Sequence, residues 1–414
     1  MGLQIKKKIL NYLKSIPIFV YENRYLMNFF DNTEVAFSLK SDSELERAYF
    51  LFKMIQNQPM VRIGTAVTNF ALKAKLPVEG LIRSTVFDHF CGGVNEEDCL
   101  PVIDKMFTKG RVCSVLDYSV EGKEGEAVFD DTMEKILKII KFGYEKEAIP
   151  YAVFKPSGFG RFALYQKITE KKELSPAEIT EWKLVKERFD KVCTVALEKN
   201  VPLLIDAEES WMQGAADDLL ERLMETYNKD KAIVFNTLQM YRHDRMDYLR
   251  GLHERALQKG FHIGIKVVRG AYMEKERQRA KEQNYPSPIC VDKKATDLNY
   301  DAAVQYMMEH KNMAIFAGTH NEESSMLVVE LAKKHKIAPN DDRLWFGQLF
   351  GMSDHISFNL AKEGYNVAKY LPFGPVRDVM PYLIRRAEEN TSVAGQTSRE
   401  LNLIITERKR RKLL

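Results

Sequence analysis

The sequence has little cysteine, no strong excess of charge of either sign and no long apolar run. Its 414 residues contain 62 Lys and Arg against 58 Asp and Glu, so the net charge of +4 does not call for a nucleic-acid partner. The five cysteines form no C-x-x-C pair, which argues against a disulfide framework or a cysteine zinc site and favours a reducing compartment. They are Cys91, Cys99, Cys113, Cys193 and Cys290.

No apolar stretch reaches the roughly 18 residues that a transmembrane helix needs. The N-terminal segment MGLQIKKKILNYLKSIPIF is basic and somewhat amphipathic, but it lacks the apolar core and small-residue cleavage site of a secretory signal. A weak organelle-targeting role for it stays open. The run ERKRRKLL near the C-terminus is the densest basic stretch. We interpret it as a solvated helix end, with contact to an anionic membrane surface as the alternative.

What the sequence does contain is a regular alternation of short apolar runs and amphipathic helical segments from about residue 111 onward. Each run is rich in β-branched or aromatic residues and short enough to be a buried parallel strand. The eight runs are RVCSVLDYSVEG, YAVFKPSG, VPLLIDAEES, AIVFNTLQMY, HIGIKVVRGAY, MAIFAGTHN, RLWFGQLFG and NVAKYLPFG. Eight strands alternating with helices predict an α/β fold of the (β/α)8 TIM-barrel type, in preference to an open doubly wound sheet.

Capping signals and composition divide the chain further. Ser175 and Glu178 are spaced as a capping box, with Pro176 at the first helical position. Another helical segment ends on Gly260. Residues before about 110 lack the alternation, and DSELERAYFLFKMI and NTEVAFSLK predict helices there. We expect three parts: an N-terminal helical arm over 1–110, the barrel over 111–400 and a basic tail over 401–414.

Polar and charged side chains follow the predicted strands, where the active sites of such barrels lie. Because buried charge is costly unless it is paired, we expect Lys155, Asp206 and Lys266 to be neighbours. For any single member, an ion pair that closes the barrel mouth is the alternative. The strand-end residues are Asp117, Tyr118, Lys155, Asp206, Glu208, Gln239, Lys266, Arg269, Thr319, His320, Asn321, Gln348 and Tyr370.

Cationic groups outnumber anionic groups at these predicted strand ends. Lys155, Lys266 and Arg269 point to anionic guests, namely a phosphate-bearing cofactor and a carboxylate-bearing substrate. Gly270 follows directly, and a glycine there lets the backbone approach a phosphate closely.

The segment VRDVMPYLIRRAEENTSVAG adds two adjacent arginines. On a helix, the offsets from Tyr382 place Arg385, Arg386 and Glu389 near one face with it. The two arginines together can hold a carboxylate through several charge-assisted hydrogen bonds. The alternative for Glu389 is an ordinary helical partner of Arg385.

Two motifs are interpreted as incidental. GFGRFA, at residues 158–163, matches G-x-G-x-x-A, but the next predicted strand begins about 40 residues later, too far for a compact dinucleotide-binding unit. We expect a loop there. His320 has no second His or Cys at metal-ligand spacing, so a hydrogen bond to a cofactor is the preferred interpretation over a metal site.

Six motifs occur in a characteristic order: IDAEES, KVVRGAYMEKER, AGTHN, FGQLFGM, YLPFG and YLIRRAEEN. On these motifs the sequence resembles the FAD-dependent proline dehydrogenases, over about residues 111 to 396, with a weaker likeness in DNTEVAFSLKSDSELERAYFLFK. The resemblance implies a distorted barrel with FAD at its C-terminal face. It also implies oxidation of L-proline to Δ1-pyrroline-5-carboxylate, with hydride passing to flavin N5 and electrons then passing to a membrane quinone.

The resemblance further implies roles for individual residues. Asp206 and Lys266 match the catalytic positions. The substrate-binding positions are Lys155, Tyr370, Tyr382, Arg385 and Arg386. The cofactor-binding positions are Ala207, Gln239, Arg269, Gly270, Ala271, Thr319, His320, Asn321 and Glu389. Many bacterial relatives have Arg at the position of Lys266 and Lys at that of Arg269, so the hydrogen-bond geometry around the flavin is expected to differ here.

The implied partners are a quinone, a separate pyrroline-5-carboxylate (glutamate semialdehyde) dehydrogenase and a membrane surface contacted peripherally. The implied location is the cytoplasmic face of a bacterial inner membrane, or a mitochondrion. One alternative is a dehydrogenase for hydroxyproline or another cyclic imino acid, although Tyr370 is expected to crowd a ring hydroxyl. Another is a flavin-binding scaffold without catalysis. Against it, every predicted acid and base position carries a chemically competent residue.

Overall fold

The computed structural model describes residues 29–57, 79–119, 124–385 and 394–414, with a few isolated positions between 58 and 78. Its centre is a closed barrel of eight parallel strands in chain order, in which the last strand pairs with the first. The predicted barrel is confirmed, and each predicted run contains one strand. The strands are β1 Cys113–Tyr118, β2 Tyr151–Phe154, β3 Leu203–Ile205, β4 Val234–Gln239, β5 Ile263–Val268, β6 Met313–Gly318, β7 Leu344–Leu349 and β8 Val367–Phe373.

Helices alternate with the strands and surround them. Residues 380–385 are also helical, and a π-helical turn at Arg83–Phe87 and a 3-10 turn at Pro156–Gly158 complete the elements. The helices are α1 Thr33–Ala36, α2 Asp42–Ile55, α3 Glu79–Ile82, α4 Asp88–Phe90, α5 Glu96–Gly110, α6 Glu126–Tyr144, α7 Phe162–Thr169, α8 Pro176–Lys199, α9 Ser210–Tyr227, α10 Arg245–Lys259, α11 Met273–Glu282, α12 Lys293–Met308, α13 Glu322–Lys334, α14 Asp354–Lys362 and α15 Ala394–Arg410.

The predicted helix signals have their expected geometry. The Ser175 side chain accepts a hydrogen bond from the backbone N–H of Glu178, and the Glu178 side chain accepts one in return. Gly260 ends α10 in the left-handed conformation, at φ 65°. NTEVAFSLK forms a shorter helix than predicted, because the backbone leaves the helical region at Phe37, with φ −111° and ψ 15°.

Aromatic rings fill the N-terminal half of the barrel interior. The Tyr151 ring packs edge-on against Phe235, Phe316 and Trp345, with centroid separations of 5.6, 5.5 and 5.3 Å. Gly264 makes room for this layer, since a Cβ atom there would lie 2.7 Å from the Phe235 ring. The interior is therefore a packed core, and the polar side chains are left for the C-terminal ends of the strands.

The arm and the last helix pack against each other. Leu401 and Ile404 of α15 share an apolar cluster with Phe37 and Phe52. Arg408 bonds Glu46 at 2.6 Å, and its guanidinium lies 3.8 Å above the Tyr49 ring. The interpretation of ERKRRKLL as a solvated helix end is confirmed for Lys409, Arg410 and Lys412, which are exposed, and is wrong for Arg408, which is buried against the arm. Across the described part of the chain, no helix combines the length and the apolar character needed to cross a membrane.

Candidate active site

Three strands bring Lys266, Asp206 and Tyr370 together: Asp206 directly follows β3, whereas Lys266 and Tyr370 lie within β5 and β8. The Lys266 ammonium donates hydrogen bonds to the Asp206 carboxylate and to the Tyr370 hydroxyl, the latter at 2.8 Å. It also lies 4.6 Å from the centroid of the Tyr370 ring. The Lys266 side chain is 7% exposed and that of Asp206 is 20% exposed, so this ion pair is buried on one side and reaches the barrel mouth on the other. The prediction that Lys155, Asp206 and Lys266 are neighbours is confirmed for Lys266 and Asp206.

The Tyr370 hydroxyl keeps its proton. Burial raises its pKa well above the ordinary value, and the nearby carboxylates of Asp206 and Asp117 raise it further. Asp117 lies in β1, and its carboxylate accepts a hydrogen bond from the Ser119 hydroxyl at 2.7 Å. A protonated phenol and an ammonium thus lie side by side next to a carboxylate.

Lys155 follows β2 directly and is half-buried. Its charge acts on Glu208, whose pKa burial raises to about 7, while Lys155 and two hydrogen bonds from Ser157 oppose that rise. The Glu208 carboxylate accepts these bonds from the Ser157 N–H and hydroxyl at 2.9 and 2.7 Å. Sequence reasoning placed Glu208 at a strand end but gave it no role. The sequence feature that could have indicated a role is the position of Glu208 as the second acidic residue of IDAEES.

Arg269 forms the centre of a second polar group. Its guanidinium donates to Asp297 at 2.7 Å, to the Thr319 hydroxyl at 2.8 Å and to the Ser324 hydroxyl at 3.0 Å. It also lies 4.5 Å from the centroid of the Tyr300 ring. These contacts from β5, β6, α12 and α13 fix a half-buried cation in one orientation.

His320 and Asn321 continue from Thr319 at the end of β6. One ring nitrogen of His320 lies 2.9 Å from the Ser353 hydroxyl, and the other accepts a hydrogen bond from the Leu349 N–H at 3.4 Å. Asn321 caps α13 by accepting from the Ser324 N–H at 2.7 Å. Among the described residues, no group of three or more His, Cys, Asp or Glu side chains is arranged to hold a metal ion.

Gly270 and Ala271 are both exposed, and their small side groups leave the backbone accessible. Gly270 has φ 121°, and a Cβ atom there would lie 2.5 Å from the Tyr241 ring. A side chain is therefore excluded at this position for two independent reasons. Gln239, at the end of β4, is buried and donates to the Glu208 carbonyl at 2.7 Å. Ala207, the residue before Glu208, is also buried.

An apolar cluster covers the C-terminal face after β8. Tyr382 is buried in it with Phe87, Phe90 and Met352, and Leu349 packs against both this cluster and the interior cluster that contains Tyr370. Arg385 follows one helical turn later and is half-buried. The predicted Arg386 and Glu389 lie outside the described residues.

The barrel and this arrangement can be compared with known proteins. The family model described as proline dehydrogenase matches residues 99–399. The chain belongs to the proline dehydrogenase family. Membership of this family makes it an enzyme that oxidises proline.

Relatives from distant organisms share most of the chain. Proline dehydrogenase 1, mitochondrial, of Arabidopsis thaliana is 29% identical over 425 residues, covering 91% of this chain and 85% of the relative. The carbapenem antibiotics biosynthesis protein CarD of Pectobacterium carotovorum subsp. carotovorum is 35% identical over 355 residues, covering 85% of this chain and 92% of the relative.

A solved structure shows the same fold. Proline utilization A (PutA) from Bdellovibrio bacteriovorus, inactivated by N-propargylglycine, superposes with a TM-score of 0.68 at 21% identity. The match covers 90% of this chain and 37% of that one, so this chain spans little more than a third of the larger protein.

Proposed function

We propose that the protein is an FAD-dependent enzyme that oxidises L-proline at its ring C–N bond to Δ1-pyrroline-5-carboxylate and delivers the electrons to a quinone. The observation that carries the proposal is the cluster of Lys266, Asp206 and Tyr370 at the barrel mouth. Family membership supplies the reaction, and the cluster supplies charged groups at the face where barrels of this type bind their substrates.

The residues present fit FAD. A pyrophosphate needs cations and exposed backbone N–H groups, and Arg269 with the bare Gly270–Ala271 segment offers both. The hydrogen-bonding groups at the ends of β4 and β6 offer donors and acceptors for the rest of the cofactor. When bound, FAD would supply the acceptor for the hydride that proline loses. The residues proposed to hold it are Ala207, Gln239, Arg269, Gly270, Ala271, Thr319, His320, Asn321 and Glu389.

The proposed task of the substrate residues is to fix the proline ring in one orientation. Arg385 and Arg386 would hold the carboxylate, with Lys155 and Tyr382 lining the site and Tyr370 packing against the ring. Holding the reacting carbon in place removes much of the entropic part of the barrier.

Lys266 and its cationic neighbours have a second proposed task. Positive charge near the substrate amine favours the neutral amine, whose lone pair is needed to expel hydride. The same ammonium, held by Asp206 and Tyr370, would stabilise negative charge that develops on a nearby cofactor.

A quinone acceptor implies peripheral contact with the membrane that contains it, either a bacterial inner membrane from the cytoplasmic side or a mitochondrial membrane. Arg408 and Arg411 of the basic C-terminal run bond Glu46 and Asp42 of the arm, so these two cations are paired within the chain. The proposal of membrane contact therefore rests mainly on the acceptor. A pyrroline-5-carboxylate dehydrogenase is the proposed next enzyme.

The relative named for carbapenem biosynthesis supports a second candidate role, in which the same oxidation feeds a biosynthetic route. Deleting the gene and growing the strain on proline as the sole nitrogen source separates the two roles. Loss of growth supports catabolism, and unchanged growth supports the biosynthetic role.

The proposed reaction is tested by mixing the purified, FAD-loaded protein with L-proline in the absence of oxygen and recording the visible spectrum. Bleaching of the flavin by proline is the expected result, with 4-hydroxyproline much slower because Tyr370 crowds a ring hydroxyl. A yellow protein that proline does not bleach contradicts the substrate assignment. A protein that cannot be loaded with FAD contradicts the cofactor assignment.

A further inference from the structure

We propose that Glu208 is a positioning residue for proline binding, which fixes Lys155 by holding the turn that follows it. The inference rests on the proposed function, because the role of Lys155 as a substrate contact is part of that function.

The first step is the attachment of the turn. Lys155 leads from β2 into the 3-10 turn Pro156–Gly158, and its own carbonyl accepts a hydrogen bond from the Gly158 N–H at 2.9 Å. Glu208 holds this turn at two points, because its carboxylate oxygens accept separately from the N–H and the hydroxyl of Ser157, at 2.9 and 2.7 Å. The turn cannot shift without breaking both bonds, so the backbone from which the Lys155 side chain projects is fixed.

The second step is that Glu208 is itself held in place. Its N–H donates to Gln213 at 2.9 Å, and its carbonyl accepts from Gln239 at 2.7 Å. The Gln213 amide in turn donates to Asp217 at 2.9 Å, which ties Glu208 to the buried face of α9. Glu208 is 6% exposed. A fixed carboxylate at the end of β3 therefore determines the position of the loop at the end of β2.

The third step concerns charge. Lys155 is the cation whose charge favours ionisation of Glu208, while burial and the neighbouring Glu209 oppose it. A carboxylate that is both hydrogen-bonded to the turn and electrostatically coupled to its lysine defines the location of the ammonium as well as that of the backbone. Loss of this control should weaken substrate binding more than it slows the chemical step.

Glu209 provides a matched control. It is the next residue and is 8% exposed, close to the value for Glu208. Its carboxylate, however, accepts from the Lys275 ammonium of α11 at 3.0 Å and does not bond the Ser157 turn. Substituting it changes a buried carboxylate of the same strand end without releasing Lys155.

The test compares Glu208→Ala, Glu208→Gln, Ser157→Ala, the double variant Glu208→Ala/Ser157→Ala and Glu209→Gln as FAD-loaded proteins. The readouts are KM and kcat for proline, and the calorimetric Kd of the proline analogue whose ring nitrogen is replaced by oxygen. Glu208→Ala should raise KM and Kd tenfold or more, with kcat changed less than threefold. Ser157→Ala should raise them about threefold, and the double variant should match Glu208→Ala within twofold. Glu209→Gln should stay within twofold of the wild type.

If Glu208→Ala does not fold, Glu208→Gln decides, with an expected rise in KM and Kd of threefold or more because the amide lacks the charge and one acceptor. The positioning role is overturned if Glu208→Gln and Ser157→Ala both stay within twofold, if Glu209→Gln weakens binding equally, or if only kcat falls. A wild-type enzyme that neither binds the analogue nor oxidises proline contradicts the proposed function and the positioning role together. An active wild type with unaffected variants contradicts the positioning role alone.

Discussion

Two strand lysines of this barrel are buried and paired with aspartate, yet their surroundings differ. Lys266 of β5 points into the barrel mouth, where it bonds Asp206 and Tyr370. Lys369 of β8, next to Tyr370 in sequence, points to the outside of the barrel because successive strand side chains alternate between faces. It bonds Asp354 at 2.7 Å.

The pair of Lys369 and Asp354 is buried among other polar groups of the described residues. Its ammonium also donates to the Met352 carbonyl at 2.5 Å, and Lys40 of the arm bonds the second oxygen of Asp354 at 3.0 Å. The Lys369 side chain is 1% exposed. Burial disfavours the charge on Asp354, but Lys369 and Lys40 outweigh it and hold the Asp354 pKa well below its usual range.

A buried pair of lysine and aspartate therefore does not by itself mark an active site. Both pairs join a strand lysine to an aspartate, but the arm covers one of them, whereas Asp206 stays partly exposed at the mouth. A ligand can therefore reach Asp206 and Lys266. The pair of Lys369 and Asp354 instead attaches the arm to the barrel, and we expect substitutions there to change stability and not chemistry.

The largest expected effect follows from Asp206→Asn. Asparagine keeps an acceptor for Lys266 but removes the negative charge, so the rate of flavin reduction by proline should fall about 10³-fold, or about 4 kcal/mol of barrier. The free energy of unfolding should change little, because the site is partly hydrated. Stopped-flow absorbance and urea titration measure the two quantities. A large loss of unfolding free energy with an unchanged rate of flavin reduction would contradict the assignment of the Asp206 pair to the active site.

Asp354→Asn should produce the opposite result. The substitution leaves Lys369 and Lys40 without a carboxylate, and removing one partner of a buried ion pair costs about 3 kcal/mol of unfolding free energy. Flavin reduction per folded molecule should stay within threefold of the wild type. Denaturant unfolding checks the first quantity, and a tenfold loss of rate in the folded protein would contradict the structural role.

A third buried group, the carboxyl of Glu208, should make the free energy of unfolding depend on pH. Folding raises its pKa from 4.5 to about 7, so its contribution to stability is complete below the unfolded value and is lost as the pH rises through about 7. Between pH 5 and pH 8 this loss should amount to about 2.5 kcal/mol, with burial as the main cause, Lys155 as the neighbour that opposes it and Glu209 as the neighbour that adds to it. Unfolding of Glu208→Gln should lack this component, and an identical pH profile would refute it.

The smallest expected effect is that of Lys40→Met. Lys40 is 23% exposed and Asp354 retains Lys369, so we expect a loss of about 1 kcal/mol of unfolding free energy. Limited proteolysis should also cut the arm sooner, while proline turnover stays unchanged. A loss as large as that of Asp354→Asn would mean that Lys40 carries the whole network.

The sequence was sufficient for the barrel and for the cluster at its mouth, because strand period and strand-end position together specify which polar residues share a face. It was not sufficient for the Lys369 pair. Lys369 lies in an apolar run, and its burial depends on Asp354 of the preceding helix and, through Asp354, on Lys40 of the arm, which meet it only through tertiary packing. Arg408 and Arg411 of the basic C-terminal run were misinterpreted for the same reason, since they bond Glu46 and Asp42 of the arm.

The assignment of the barrel mouth as the active site can be tested on the two lysines themselves. Flavin reduction by proline is recorded side by side for the wild type, Lys266→Met and Lys369→Met, with each rate corrected for the folded fraction. We expect a rate at least about 10²-fold lower for Lys266→Met and a rate within about threefold of the wild type for Lys369→Met. A Lys266→Met enzyme that proline reduces at the wild-type rate would contradict the assignment of the barrel mouth as the active site.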